Sequence, residues 1–104
     1  MAKYLFVYHG GTMPETEEEG AAVMAQWQSW LGGMGSAVVD GGNPVGLSST
    51  VNSDGTVSNN GGANPASGYS LVSADSLDQA LALAKACPIL QTDGSVEVAE
   101  IIEM

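Results

Sequence analysis

The chain is 104 residues long, enough for one domain and no second. Twelve acidic residues face only Lys3 and Lys85, with no arginine, for a net charge of −10. That balance excludes the basic footprint nucleic acid requires and a polybasic attachment to anionic membrane, and it leaves no guanidinium fork for a strongly anionic substrate.

The charged share, 13%, is low, whereas the apolar share, 44%, is ordinary. Low charge with ordinary apolarity argues against disorder and suggests that surface normally left to charge is covered by something else. A chain of this size buries roughly 64% of its unfolded surface, which is enough to fold alone with little core to spare. Cys87 is the single cysteine, so no intramolecular disulfide forms. Ahead of Pro88 it reads as a small buried hydrophobe. No basic stretch leads into a secretory apolar segment, and no apolar run approaches about twenty residues. The expectation is a cytoplasmic protein in a reducing setting.

The first predicted element is a strand over residues 3 to 9, "KYLFVYH". Tyr4, Phe6 and Tyr8 point one way and Leu5, Val7 and His9 the other, so both faces are apolar and both are expected to be covered. Gly10 and Gly11 halt it. Next comes a helix opened by a capping box, Thr16 to Glu19, with Glu15, Glu17, Glu18 and Glu19 crowding its first turn as a solvated start. Val23, Trp27, Trp30, Leu31 and Met34 form its core stripe, with Met24 at the edge, until Gly32, Gly33 and Gly35 end it.

"SAVVD" predicts a short strand ending at Asp40. Leu47 to Val51 and Thr56 to Ser58, either side of "NSDG", predict a small hairpin, and "NNGGANP" a flexible loop. "GYSLVSA" reads as a strand, and "DSLDQALALAKACP" as a helix capped by Asp75 or Ser76 and stopped by Pro88. Leu77, Ala80, Leu81, Ala84 and Cys87 are its expected buried stripe. "SVEVAEIIEM" is the last strand, introduced by the Asp93-Gly94 turn. Strand, helix, strand, hairpin, strand, helix, strand is the order of an α+β fold of the ferredoxin-like, split βαβ type with a small hairpin insertion. Both helices then cover one face of the sheet. The bare face exposes more apolar surface than a monomer usually tolerates, so it is expected to pack on a second copy.

"KYLFVYHGG", "WQSWLGGMGSAVVDGGNPVG", "GYSLVSADSLDQALALAKACP" and "GSVEVAEIIEM" together resemble the YCII-related family over most of the chain, the third block most specifically. The resemblance implies a ferredoxin-like domain that pairs sheet to sheet as a dimeric α+β barrel. It also implies chemistry on small ring compounds, with which a His-Asp pair is associated in some relatives. The chain departs from the family's common patterns in three places. The nearest string to Asp-Gly-Pro-Phe is "DGGNP", Ala99 stands where relatives often carry arginine, and His9 ends a strand instead of lying in the first helix.

His9, the only histidine, is the obvious acid or base. Asp40 is its candidate partner if the sheet brings the two together, and turn capping before Gly41-Gly42 is the plainer role for that carboxylate. The plainer role for His9 is a hydrogen bond to a loop carbonyl at a strand end. Glu100, sharing a face with Val96, Val98 and Ile102, is the second choice of acid or base. Trp30 is a candidate for stacking on a ligand, and Tyr8 and Tyr69, with Tyr4, either line a cavity or pack under the helices. No phosphate-binding glycine motif, Gly-x-Ser-x-Gly elbow or calcium loop is present, and one histidine with one cysteine makes no ordinary zinc site. The expectation is a chain without cofactor or metal. Two functions compete: a cofactor-independent lyase or isomerase for a small neutral or phenolic ring compound, and a non-catalytic dimer that binds a small ligand or regulates a partner.

Overall fold

In the computed structural model, which describes residues 2–11, 15–59 and 65–103, the opening apolar run is a strand, β1 (Ala2–His9). Helix α1 (Glu17–Met34) starts as its capping signal predicts: the Thr16 hydroxyl accepts the Glu19 amide at 3.1 Å. The reciprocal arm is displaced by one residue, because the Glu19 carboxylate accepts from the Glu15 amide instead of from Thr16. Gly35, at φ 56°, closes the helix by donating its amide to the Gly32 carbonyl. A 3-10 turn at Gly35–Ala37 leads into β2 (Val38–Asp40).

The chain then leaves the sheet. β3 (Thr50–Val51) and β4 (Val57–Ser58) form a two-stranded hairpin of their own, with a shorter first strand than the sequence predicts. The turn supplies the reason: Asn52 and Thr56 face each other across it, Gly55 takes φ 88°, and among the described residues only Thr50 and Val51 pair with the returning strand. The loop expected over 59–66 falls mainly outside the described residues. β5 (Ala66–Ala74) follows, then α2 (Leu77–Ala84), a 3-10 segment at Pro88–Gln91, and β6 (Ser95–Glu100).

The result is a mixed α+β fold. β2, β5, β1 and β6 make one four-stranded sheet in that order, every neighbouring pair antiparallel. One face carries the core. Tyr4, Phe6 and Tyr8 of β1, with Val72 and Ala74 of β5, meet Trp30 of α1 and Ala80 and Ala84 of α2, with Cys87 and Ile89 closing the end. Phe6 stacks on Trp30, and the Trp30 indole donates to the Leu83 carbonyl at 3.0 Å, which ties the two helices together.

The stripe expected on α2 is corrected in one respect. Ala80, Ala84 and Cys87 are buried, but Leu77 and Leu81 are 49% and 38% exposed. At 100° per residue the helix turns its row of small side chains to the sheet, so it lies close, and Leu83 packs partly buried against the core. Leu77 and Leu81 lie on the opposite flank.

Among the described residues no helix lies over the other face of the sheet. Leu5, Val7, Tyr69 and Leu71 lie there half-buried, with Ala99 and Glu97 exposed beside them. Among the described residues no helix is long and apolar enough to cross a membrane.

Candidate functional site

His9 ends β1 on the uncovered face. The antiparallel register sets it opposite Ser95 of β6, with Val7 opposite Glu97. Glu97 is therefore the same-face diagonal neighbour of His9, at a spacing a glutamate side chain bridges. Its Oε1 lies 3.0 Å from His9 Nε2. The other ring nitrogen, Nδ1, lies 3.3 Å from the Pro65 carbonyl oxygen. Both neighbours are acceptors. A neutral imidazole donates from one nitrogen only, whereas the protonated ring donates from both, so this setting satisfies the ring fully only as the cation. A carboxylate accepts only, so the contact with Glu97 favours the tautomer that carries its proton on Nε2. The longer one leaves Nδ1 as the atom a competing group displaces more readily. The histidine side chain is 11% exposed and the glutamate side chain 62%, so the pair opens to solvent through the carboxylate.

The end of the sheet is irregular here. Tyr8 pairs with Gly68 but His9 pairs with Ala66, which makes Ser67 the extra residue of a β-bulge. Bulges re-aim side chains next to sites. The Ser67 hydroxyl is buried and, among the described residues, has no hydrogen-bond partner. Its carbonyl accepts from Val45, and Pro44 bridges to Gly68, so the segment after β2 continues the sheet edge for two residues. Between that segment, the Gly10–Gly11 turn and Pro65–Ser67 lies a cavity of about 270 Å³, whose remaining wall is Gly46 to Ser48 and Asn59. It is open to solvent on one side and lies just below the ~300–1,000 Å³ of ordinary ligand sites, room for a small, partly covered molecule. Gly10 and Gly11, at φ 71° and 92°, make the turn that shapes one side. Pro65 belongs both to this wall and to the His9 contact, which puts Nδ1 behind the rim.

No protein-family model matches the chain, and no curated protein matches it either. Its site is read from its own chemistry.

Asp40 stands apart from His9. It lies on β2, the edge strand beyond β5, opposite Leu71, which itself faces Leu5, four positions along β1 from the histidine. Its carboxylate instead accepts the Gly42 amide at 2.8 Å, which is the turn-capping role. Gly42, at φ 72°, passes so close to the Tyr69 carbonyl that a side chain there would collide with backbone. Glu100 is at the far end of β6, paired with Tyr4, and alternation puts it on the helix-covered side. Burial first, and then the Glu100 carboxylate, push the Tyr4 phenol up.

Of the three residues named for ligand binding, Tyr69 is on the uncovered face, beside Val7. Tyr8 and Trp30 are in the core on the other face, because strand alternation sends Tyr8 away from His9. The Tyr8 hydroxyl donates to Ser70 Oγ at 2.7 Å, which donates to the Gly41 carbonyl at 2.6 Å, and the ring meets Trp27 edge-on at 4.8 Å. Burial pushes that phenol up to about 12 despite the Ser70 bond, which pulls it down. Sequence reasoning missed Glu97. The signal was present in "SVEVAE", where Val96 and Val98 claim one face and leave Glu97 on the other. Among the described residues no cluster of three or more histidine, cysteine or acidic side chains is placed to hold a metal ion.

Proposed function

We propose that this chain is a ferredoxin-like, split βαβ domain of the YCII-related kind, that it works as a homodimer in the cytoplasm with two uncovered sheet faces packed together, and that it is a cofactor-independent lyase or isomerase. The strand order β2-β5-β1-β6, antiparallel throughout, and two helices on one face support the fold. The half-buried apolar face supports the pairing. A single buried thiol, Cys87, suits a reducing compartment.

The observation that carries the chemistry is the 3.0 Å contact between His9 Nε2 and Glu97. Glu97 takes the part that the sequence reading offered to Asp40. It holds the ring, keeps the proton on Nε2 and stabilises the imidazolium that forms when Nδ1 accepts a proton. A small neutral or phenolic ring compound seated in the cavity at the end of β1 displaces the Pro65 carbonyl from Nδ1 and gives up a proton there, and the same nitrogen returns it elsewhere on the ring. Tyr69 and Ser67 lie on the same end of the sheet as contacts for its polar groups.

Proton transfer of this kind exchanges substrate hydrogen with solvent, so deuterium uptake from heavy water tests it without knowledge of the product. Cyclic enones, unsaturated lactones and phenols serve as probes, followed by NMR. Wild type should exchange at least one of them, His9→Ala should lose roughly 100-fold or more, and Glu97→Gln should lose less than His9→Ala. Equal exchange in wild type and His9→Ala removes the enzyme reading.

A second reading, a non-catalytic ligand-binding or regulatory dimer, has its own support. The cavity wall among the described residues contains glycine, aliphatic, serine and asparagine side chains and no titratable one. Saturable binding of the same probes, with amide shifts at Gly10, Gly11 and Ser67 but no deuterium uptake, selects it.

A further inference from the structure

Two polar side chains at the end of β1 are short of a good acceptor. His9 lies between Glu97 Oε1, 3.0 Å from Nε2, and the Pro65 carbonyl oxygen, 3.3 Å from Nδ1. A neutral ring that donates to Glu97 turns the lone pair of Nδ1 toward the lone pairs of that carbonyl, whereas the protonated ring donates to both. The Ser67 hydroxyl, in the bulge next to the strand partner of His9, is buried and has no hydrogen-bond partner among the described residues. A buried hydroxyl left so is costly, and an incoming acceptor relieves it. Both features border one cavity. Pro65 and Ser67 belong to its wall, and Pro65 is the residue whose carbonyl faces Nδ1.

We propose that the ligand of this cavity is a small uncharged ring compound that binds through a ring carbonyl, accepting from Nδ1–H of protonated His9 and from the Ser67 hydroxyl. The inference rests on the reading of this cavity as a ligand site and narrows the ligand it takes. The Pro65 carbonyl holds the place of the ligand's own. Replacing one carbonyl by another at Nδ1 keeps that hydrogen bond, and the ligand adds an acceptor for Ser67. A phenol fits less well, because its oxygen is a poorer acceptor and its hydroxyl hydrogen then needs a partner of its own.

Charge points the same way. Glu97 already balances the imidazolium, so the ligand needs no charge of its own. The cavity wall, among the described residues, has neither a cation to hold a carboxylate nor an acid to hold an amine. The selection follows the proton on His9. Among the described residues Glu97 on β6 is the only charged side chain within ion-pair distance of the ring. Asp93 stands in the turn before β6, where its backbone nears Gly10. β5 brings Tyr69 and no charged residue. Lys3 is at the far end of β1, and Asp40 on β2 is in register with Leu71. Carbonyl binding should therefore be tighter below the range in which a histidine titrates, about pH 5 to 8, than above it.

The test is an NMR titration of the full chain with cyclohexenone and with phenol, which match in ring size and carry one oxygen each. Amide shifts of Gly10, Gly11 and Ser67 are followed at about pH 5.5 and about pH 8, either side of most histidine titrations. Wild type should bind the enone roughly tenfold more tightly at the lower pH and prefer it there to phenol. His9→Asn should lose the pH dependence, and Ser67→Ala should bind the enone roughly 3- to 10-fold more weakly at both pH values. An enone affinity that ignores pH, a preference for phenol at the lower pH, or no enone binding at millimolar concentration overturns the inference. So does a Ser67→Ala chain that binds the enone as wild type does. If His9→Asn does not fold, the nitrogen shift of His9 Nδ1 in wild type decides. Movement on adding the enone at the lower pH upholds the inference, and an unmoved signal removes it. Enone binding of the expected kind without deuterium uptake upholds it while the enzyme reading fails. Phenol preferred, with deuterium uptake, leaves the enzyme reading standing and this inference overturned.

Discussion

Tyr8 is held as a neutral phenol by the packing around it. Trp27 and Trp30 cover the ring, and the hydroxyl heads a relay through Ser70 to the Gly41 carbonyl at the end of β2. Burial moves its titration from 10.0 to about 12, and burial likewise moves the Cys87 thiol from 9.0 to about 11. Both groups are favoured neutral in the fold, so the stability they contribute is whole below pH ~9 and is lost as pH rises through ~11 to ~12. For Tyr8 alone, two units correspond to roughly 2–3 kcal/mol. Urea midpoints measured from pH 7 to 12 should hold steady to about pH 9 and then fall. Tyr8→Phe should cost about 1 kcal/mol at pH 7, because the Ser70 hydroxyl keeps its own acceptor, and should flatten the fall above pH 10. The same alkaline slope in Tyr8→Phe and wild type would show that other groups carry it. The contrast with His9 is instructive at this scale. Adjacent residues of one strand face opposite sides of a sheet, so one aromatic ring is locked in the core while the next meets a carboxylate at the open face. That alternation was legible in "LFVYH". The partner of His9 was not, because Glu97 is 88 residues away and reaches it only through the β1–β6 register. Asp40 was the nearer guess in sequence and is two strands distant in space.

Among the elements, α2 shows how much a helix of small residues does by lying close. Ser76 caps it by accepting the Gln79 amide at 3.1 Å, and Ala80 and Ala84 let the backbone approach β5 and β6. Ala80 is fully buried, so no space exists for a longer side chain. Ala80→Leu should lift the helix, part the Trp30–Leu83 hydrogen bond and cost about 1–3 kcal/mol. Leu81→Ala, on the exposed flank, should cost less than about 1 kcal/mol. Urea denaturation followed at the tryptophans measures both, and a reversed order would mean that the Leu77–Leu81 flank and not the alanine row faces the sheet. The order and type of the elements were readable because each carries a local signal: alternation in β1 and β5, a cap before each helix, glycine or proline after. Which flank of α2 is buried was not, since leucine outranks alanine on any scale of apolarity. The sheet nevertheless selects the row that fits at short distance. The hairpin was placed correctly by its "NSDG" turn, but its lack of contact with the core has no counterpart in local sequence.

For the whole molecule the governing fact is a net charge of −10 on a thin, two-layer body with an apolar face. Two such bodies repel at long range and, in the dimer proposed here, attract only on contact. Salt screens the first effect within about 10 Å at 0.1 M and leaves the second intact or strengthened. Association should therefore tighten with added sodium chloride, opposite to what a salt-bridged interface does. Because the acidic helix starts lie on the covered side, away from the paired faces, the gain should be modest, about 3- to 10-fold in dissociation constant between 0.05 and 0.5 M. Sedimentation at several concentrations and salt levels measures it. Weakening with salt would mean that charged pairs hold the copies together. Lys3 and Glu97, charged residues of the bare face, would then be the first to mutate.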